Sequence, residues 1–168
     1  HPKINQVKYE GEFQKWVPEG YGERYNKEGK LKYAGGFLQG KYNGEGALYY
    51  PDGHTKKYVG TFSNKQFDGH GKLYSEEGKR VYEGDFLNGV YHGSGIQYYQ
   101  DGQNKPYYEG DFENGVPHGM GSFKYEDGSL QYKGEAKNGT YHGKGTYYYT
   151  DGKVKANGSF INGKYNAP

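Results

Sequence analysis

The strongest constraint on this chain is a distance that does not vary. Six segments of the form YxGxF open at Tyr9, Tyr33, Tyr58, Tyr82, Tyr108 and Tyr132 (the sixth reads YKGEA). Each lies 19 residues before an acidic–glycine pair: Glu28-Gly29, Asp52-Gly53, Glu77-Gly78, Asp101-Gly102, Asp127-Gly128 and Asp151-Gly152. From that acid to the start of the next segment the gap is 5, 6, 5, 7, 5 and 5 residues. Each unit also contains a GxG, at Gly20–Gly22, Gly44–Gly46, Gly69–Gly71, Gly93–Gly95, Gly119–Gly121 and Gly143–Gly145. All variation in length falls in one loop, which is the mark of a tandem array. Six repeats are expected at 9–32, 33–57, 58–81, 82–107, 108–131 and 132–155, after a leader at 1–8. A partial repeat, opening on ANGSF at Ala156–Phe160, fills 156–168.

Constant register excludes the disorder that composition alone suggests. Only 32% of the residues are hydrophobic, and mean hydropathy is −1.21. Such values ordinarily leave too little to bury. Yet 22 tyrosines and 8 phenylalanines supply rings, and tyrosine packs a ring while keeping its hydroxyl wet. A thin structure can be built from them.

Within a repeat the signals are those of a β-hairpin. In YxGxF the period of two puts Tyr82, Gly84 and Phe86 on one face and Glu83 and Asp85 on the other. Asn-Gly follows at Asn88-Gly89, Asn114-Gly115, Asn138-Gly139 and Asn162-Gly163, where a hairpin turn needs positive φ. A second strand is expected from the GxG to the tyrosines before the acidic turn. Glycines inside strands weaken them unless each leaves a hollow that a neighbouring ring covers. No segment has helical periodicity, and glycine disfavours helix by about 1 kcal/mol per residue. The expected fold is all-β, an elongated, twisted, open antiparallel single-sheet meander of tandem hairpins. With strands about 4.8 Å apart, each repeat advances roughly 10 Å, giving a rod roughly 60–65 Å long.

This pattern, YxGxFxxGxxxGxG followed by an Asp-Gly turn, resembles the MORN (membrane occupation and recognition nexus) repeat from about Tyr9 to Asn166. Trp16 and Lys65 depart from it where a turn glycine is expected. Ala136 replaces a phenylalanine and Ala156 an opening tyrosine. The resemblance implies a non-enzymatic module used for attachment and assembly.

Several chemistries are excluded. There is no cysteine, hence no disulfide, thiolate metal site or thiol nucleophile. The run Gly139–Gly145 is one residue short of a P-loop and has no helix after it to hold a phosphate. His92, His118 and His142 occupy equivalent positions on successive repeats, too far apart to share a metal, and read as turn hydrogen-bonding groups. Glu83, Asp85, Glu109 and Asp111 read as a solvated sheet face rather than catalytic carboxylates. No cofactor and no enzyme activity are expected. A net charge of +2 gives no case for nucleic acid. No apolar run approaches a membrane span and no signal-peptide pattern is present. The start at His1, without methionine, reads as a fragment or processed form. Cytoplasmic, membrane-peripheral and extracellular placement all stay open.

Two surfaces are expected to bind. A single sheet has no second layer, so its apolar face needs either its own rings or a partner. Leu48, Leu73, Phe123 and Tyr147, followed by Tyr50, Tyr99, Tyr125 and Tyr149, would line a groove for a protein or peptide. The acidic–glycine turns share one edge, where Lys30, Lys32, Lys56, Lys57, Lys79, Arg80, Lys105, Lys153 and Lys155 would meet anionic lipid at about 1 kcal/mol per charge. A cell-wall or glycan-binding role is a third reading, although the lone Trp16 gives no tryptophan cage. Unpaired strand edges leave self-association open.

Overall fold

The computed structural model describes residues 7–168, so most of the leader lies outside it. The described residues form two compact units, one ending at Lys79 and the other running from Arg80 to Pro168. Among the described residues there is no helix.

The N-terminal unit contains β1 (Tyr9–Gln14), β2 (Val17–Tyr25), β3 (Leu31–Leu38), β4 (Lys41–Tyr49), β5 (Lys56–Ser63) and β6 (Gln66–Tyr74). The C-terminal unit contains β7 (Arg80–Leu87), β8 (Val90–Tyr98), β9 (Pro106–Glu113), β10 (Val116–Lys124), β11 (Leu130–Lys137), β12 (Thr140–Tyr148), β13 (Val154–Ile161) and β14 (Lys164–Asn166). In each unit every strand pairs antiparallel with its sequence neighbour, giving an open meander.

Each repeat hairpin closes in two residues. Leu87 faces Val90 across Asn88 and Gly89, whose φ values are 50° and 84°. Positive φ at both central residues defines the type I′ turn that matches strand twist. Lys15-Trp16 and Asn64-Lys65 adopt the same geometry with no glycine, at φ of 49° and 66°, then 49° and 70°. The turn is imposed there against residue preference.

The second strand starts directly after this turn, three residues earlier than the sequence suggests. The GxG lies inside it, at a bulge: Gly35 pairs with Gly46 and Phe37 with Tyr42, so Asn43, Gly44 and Glu45 stand opposite Gly36. Bulges add unpaired residues to one strand and sharpen its twist. The fourth residue of YxGxF closes the bulge in four repeats. Glu12, Asp85, Asp111 and Glu135 accept hydrogen bonds from the backbone N–H of Tyr21, Ser94, Met120 and Lys144, at 3.0, 3.2, 2.9 and 3.1 Å. Asp85 and Asp111 are therefore structural acceptors and not merely a solvated face. Glu83 and Glu109 meet Arg80 and Lys124 at 3.5 and 3.6 Å.

The rings of one face are the core. Tyr33, Tyr58, Tyr82, Tyr108 and Tyr132 are fully buried, and Phe37, Phe62, Phe86, Phe112 and Phe160 nearly so. Tyr33 stacks on Tyr42 at 3.8 Å and meets the next repeat's Phe62 edge-on at 5.1 Å. Tyr82 repeats this with Tyr91 at 3.8 Å and Phe112 at 5.1 Å. Each opening tyrosine covers the second glycine of its GxG: a Cβ on Gly46 or Gly95 would lie 2.4 or 2.2 Å from the hydroxyl of Tyr33 or Tyr82. That hydroxyl donates to the carbonyl three residues on, as from Tyr33 to Gly36 at 2.9 Å and Tyr108 to Asp111 at 3.0 Å. A sheet with no second layer thus buries its own aromatic face.

Two departures compensate each other. Pro117, like Pro18 in the first repeat, stands where the remaining repeats place the stacking ring, and Ala136 where every other repeat places phenylalanine. Phe123 fills the space, 2% exposed, with its ring 4.6 Å from Tyr108 and 5.0 Å from Tyr141. Phe123 is core and cannot line an open groove.

Candidate interaction surface

A second bulge, before each opening position, decides what faces outward beside the core. Leu48 pairs with Tyr58 but Tyr49 with Lys56, leaving Lys57 as the extra residue. The same shift sets apart Lys32, Tyr107, Gln131 and Lys155. A bulge re-aims the side chain at the extra position, and here it aims it toward the rings. In the N-terminal unit the Lys57 ammonium lies 5.8 Å from the Tyr50 ring centre. In the C-terminal unit Lys155 lies 5.0 Å from Tyr147 and 5.4 Å from Tyr149. Tyr107 takes the equivalent place against Tyr99 at 5.2 Å and Phe123 at 5.7 Å. Part of the expected basic edge and part of the expected groove are therefore one surface, which alternation in the sequence does not reveal.

The tyrosines before the acidic turns have a structural duty as well. Tyr50 donates to the Tyr74 carbonyl at 2.8 Å, Tyr99 to Lys124 at 2.6 Å, and Tyr125 to Tyr148 at 2.7 Å. Each ties its repeat to the next, and Tyr50, Tyr99 and Tyr125 are half-buried. Leu48 and Leu73 are half-buried beside the opening tyrosines, Tyr147 is half-buried, and Tyr149 is 50% exposed. On the opposite face Tyr98 is unexpectedly buried, under Arg80 at 5.1 Å. Arg24, absent from the expected sites, lies 5.2 Å from the Phe37 ring and donates to the Gly40 carbonyl at 3.2 Å.

The remaining basic residues are less concentrated than their spacing suggests. Lys30, Lys32, Lys56 and Lys79 are exposed in the N-terminal unit; in the C-terminal unit Lys153 is exposed and Lys105 half-buried. Lys153 lies 3.6 Å from Asp151 and Arg80 3.5 Å from Glu83. The turn aspartates point into their own turns, Asp52, Asp101, Asp127 and Asp151 each accepting from the N–H two residues on; at Asp52 a hydrogen bond from the Thr55 side chain, followed by the His54 N–H, holds the carboxyl down at about 2. A carboxylate engaged this way stays charged and dilutes the lysines around it.

Among the described residues no group of three or more His, Asp or Glu side chains is placed to hold a metal ion. His118 meets Glu113 at 3.4 Å, whereas the buried Nδ1 of His142 has no hydrogen-bond partner, so the turn role expected of it is not met by that atom. The Gly139–Gly145 run starts at the second residue of the Asn138-Gly139 turn and leads into strand β12, with no helix following it. Burial raises the phenol pKa of the core tyrosines, to about 12 for Tyr108 and Tyr132, with the nearby Asp111 and Glu135 charges adding to it. These are buried neutral groups and not poised acids.

The family model described as the MORN repeat matches residues 33–55, 58–80, 82–104, 108–130 and 132–154. It does not reach 9–32, although β1 and β2 reproduce the turn, the bulge and the glycine hollow, where a Cβ on Gly22 would lie 2.4 Å from the Tyr9 hydroxyl. No curated protein matches the chain.

Proposed function

The chain belongs to the MORN repeat family, a non-enzymatic family of repeat modules that act in protein or membrane association, and on that premise we propose that it is a protein-interaction scaffold. The binding surface in this reading is the bulge row: Tyr50 with Lys57 in the N-terminal unit, and Tyr147 and Tyr149 with Lys155 in the C-terminal unit. The observation behind it is the lysine ammonium lying on partly exposed rings. Such a pair offers an apolar plane and a positive charge to one extended segment, and aromatic residues dominate interface energetics. Leu48 and Leu73 add apolar width, whereas Phe123 adds none.

Anionic lipid is the second reading, resting on the exposed Lys30, Lys32, Lys56, Lys79 and Lys153. The two differ in salt response, since exposed charges are screened within about 8 Å at physiological ionic strength. The test is flotation with neutral and phosphoinositide-containing liposomes at low and physiological salt, beside affinity capture with wild-type and Tyr149→Ser protein. Capture that tolerates salt and is weakened by Tyr149→Ser supports the scaffold. Flotation that needs anionic lipid, survives physiological salt and is lost in Lys56→Glu/Lys57→Glu/Lys79→Glu/Arg80→Glu overturns it in favour of the membrane.

A further inference from the structure

In two repeats the bulge residue is a lysine held over the tyrosine that precedes the acidic turn. Lys57 puts its ammonium 5.8 Å from the Tyr50 ring centre, and Lys155 lies 5.4 Å from that of Tyr149 and 5.0 Å from that of Tyr147. In the fourth repeat the bulge residue is Tyr107, so the Tyr99 ring meets a second ring in place of an ammonium. The array thus shows what these rings attract, and departs from it at an interior position of the C-terminal unit.

The two rings make a fixed corner. Their centres lie 5.2 Å apart and their planes at 71°. The Tyr99 hydroxyl is tied to the Lys124 carbonyl at 2.6 Å, and Tyr107 rests on the buried Phe123 at 5.7 Å. Both tyrosines are half-buried, so the corner keeps part of its surface in water. Ring faces carry negative partial charge, and rings set at steep angles are the walls of the cages that hold ammonium groups.

The charges around the corner have the opposite sign to those of the lysine-bearing repeats. Burial raises the Tyr99 phenol pKa first, followed by the Tyr107 phenol and the charges of Glu126, Asp101 and Asp127. All three carboxylates are exposed, in the fourth and fifth turns. Asp101 and Asp127 accept from the N–H groups of Gln103 and Ser129 at 2.9 and 2.8 Å, which keeps them ionised. The Asp127 carboxyl is held below its usual range by Ser129 first and by Lys105 last, so Lys105 offsets part of this negative charge.

We propose that the corner of Tyr99 and Tyr107 binds a lysine side chain from a basic segment of a partner polypeptide. The ammonium lies against the two rings as Lys155 lies against Tyr147 and Tyr149, with Glu126, Asp101 and Asp127 supplying the complementary charge. The lysine-bearing pairs offer a partner a positive charge, and this corner offers a negative one, so the two surfaces select different segments. The inference rests on the scaffold reading only for the occupant being a polypeptide.

The site is tested with peptide probes on the 168-residue chain. A blocked Gly-Lys-Gly-Lys-Gly peptide and the same peptide with both lysines Nε-acetylated are titrated while the tyrosine ring resonances are followed by NMR. The lysine peptide is expected to shift the Tyr99 and Tyr107 signals saturably at roughly millimolar concentration, a range set by the size of such ligands. The Tyr50 signals, whose ring already carries Lys57, should stay in place. Acetylation should weaken binding by about threefold or more, the contribution of an ammonium over rings. Tyr107→Lys installs the chain's own ammonium and should abolish the response. Should that variant not fold, Glu126→Gln, a change at an exposed turn, should weaken the lysine peptide by up to about fivefold. No saturable shift, equal binding by the acetylated peptide, or undiminished binding by a folded Tyr107→Lys or by Glu126→Gln overturns the site. Any of these results leaves partner capture through Tyr149 standing or falling separately.

Discussion

Gly121→Ala should be among the most damaging small substitutions in the chain, and its sign should reverse when one ring is removed. A Cβ at residue 121 would lie 2.2 Å from the Tyr108 hydroxyl oxygen and 2.4 and 2.6 Å from two of its ring carbons. The ring cannot slide aside. Its hydroxyl is tied to the Asp111 carbonyl at 3.0 Å, and Phe112 and Phe123 hold it at 5.1 and 4.6 Å. Overpacking a site whose neighbours can give costs about 1–3 kcal/mol, and expelling a large ring costs about 3–5 kcal/mol. A pinned ring places Gly121→Ala near the junction, about 3 kcal/mol. In a Tyr108→Ala background the obstruction is gone, and alanine in extended backbone is favoured over glycine by about 0.5–1 kcal/mol. The coupling in a double-mutant cycle is then about 3.5 kcal/mol, well above the additive limit for independent sites. Urea unfolding of the four proteins, followed by far-ultraviolet circular dichroism, measures it. A Gly121→Ala cost that is the same in both backgrounds would falsify the claim that the glycine exists to admit the ring.

The same geometry gives three further outcomes. Lys65→Gly relieves a φ of 70° at a residue with a side chain. A left-handed residue costs about 1–2 kcal/mol and glycine's extra freedom returns about 0.5–1 kcal/mol of it, so the urea midpoint should rise by the equivalent of about 0.5–1 kcal/mol. Tyr125→Phe keeps the ring but removes the 2.7 Å bond to the Tyr148 carbonyl. It should cost about 1 kcal/mol and speed amide exchange at the ends of β10 and β12; unchanged exchange there would show that the tie holds nothing. Alkaline pH should unfold the chain steeply. Tyr108 and Tyr132 titrate at about 12 when folded against 10.0 when exposed, so the unfolded state loses its protons first. Stability is then full below about pH 10 and falls as pH rises toward 12. A flat urea midpoint between about pH 9.5 and 11.5, values chosen to bracket the onset of that window, would contradict the burial of these phenols.

Most of the repeat is written where residues alternate. Tyr82, Gly84 and Phe86 share a face, as Glu83 and Asp85 share the other, because a strand has period two. The ring over each GxG glycine is likewise legible, since a glycine in a strand demands a reason. What alternation cannot show is an added residue. The bulge at the GxG makes the second strand look as if it begins at Gly44, when it begins at Lys41. The bulge before each opening tyrosine puts Lys57, Tyr107 and Lys155 beside rings that counting assigns to a separate surface. One extra residue reverses the face of every later residue in its strand, and no propensity marks where it sits. Phe123 escapes the sequence for a different reason: its burial depends on Pro117 and Ala136 being small at once, and neither adjoins it in sequence.

The case of Phe123 indicates where this array departs from a uniform scaffold. A residue repeated at the same place in every repeat satisfies the fold, because each repeat faces the same packing problem and solves it the same way. Tyr82 and Gly95 are explained once Tyr33 and Gly46 are. A departure is different: either the molecule compensates, or a feature is left that the other repeats lack. Ala136 is compensated by Phe123, and the site closes. Lys65 is not compensated; it stays strained at a surface turn.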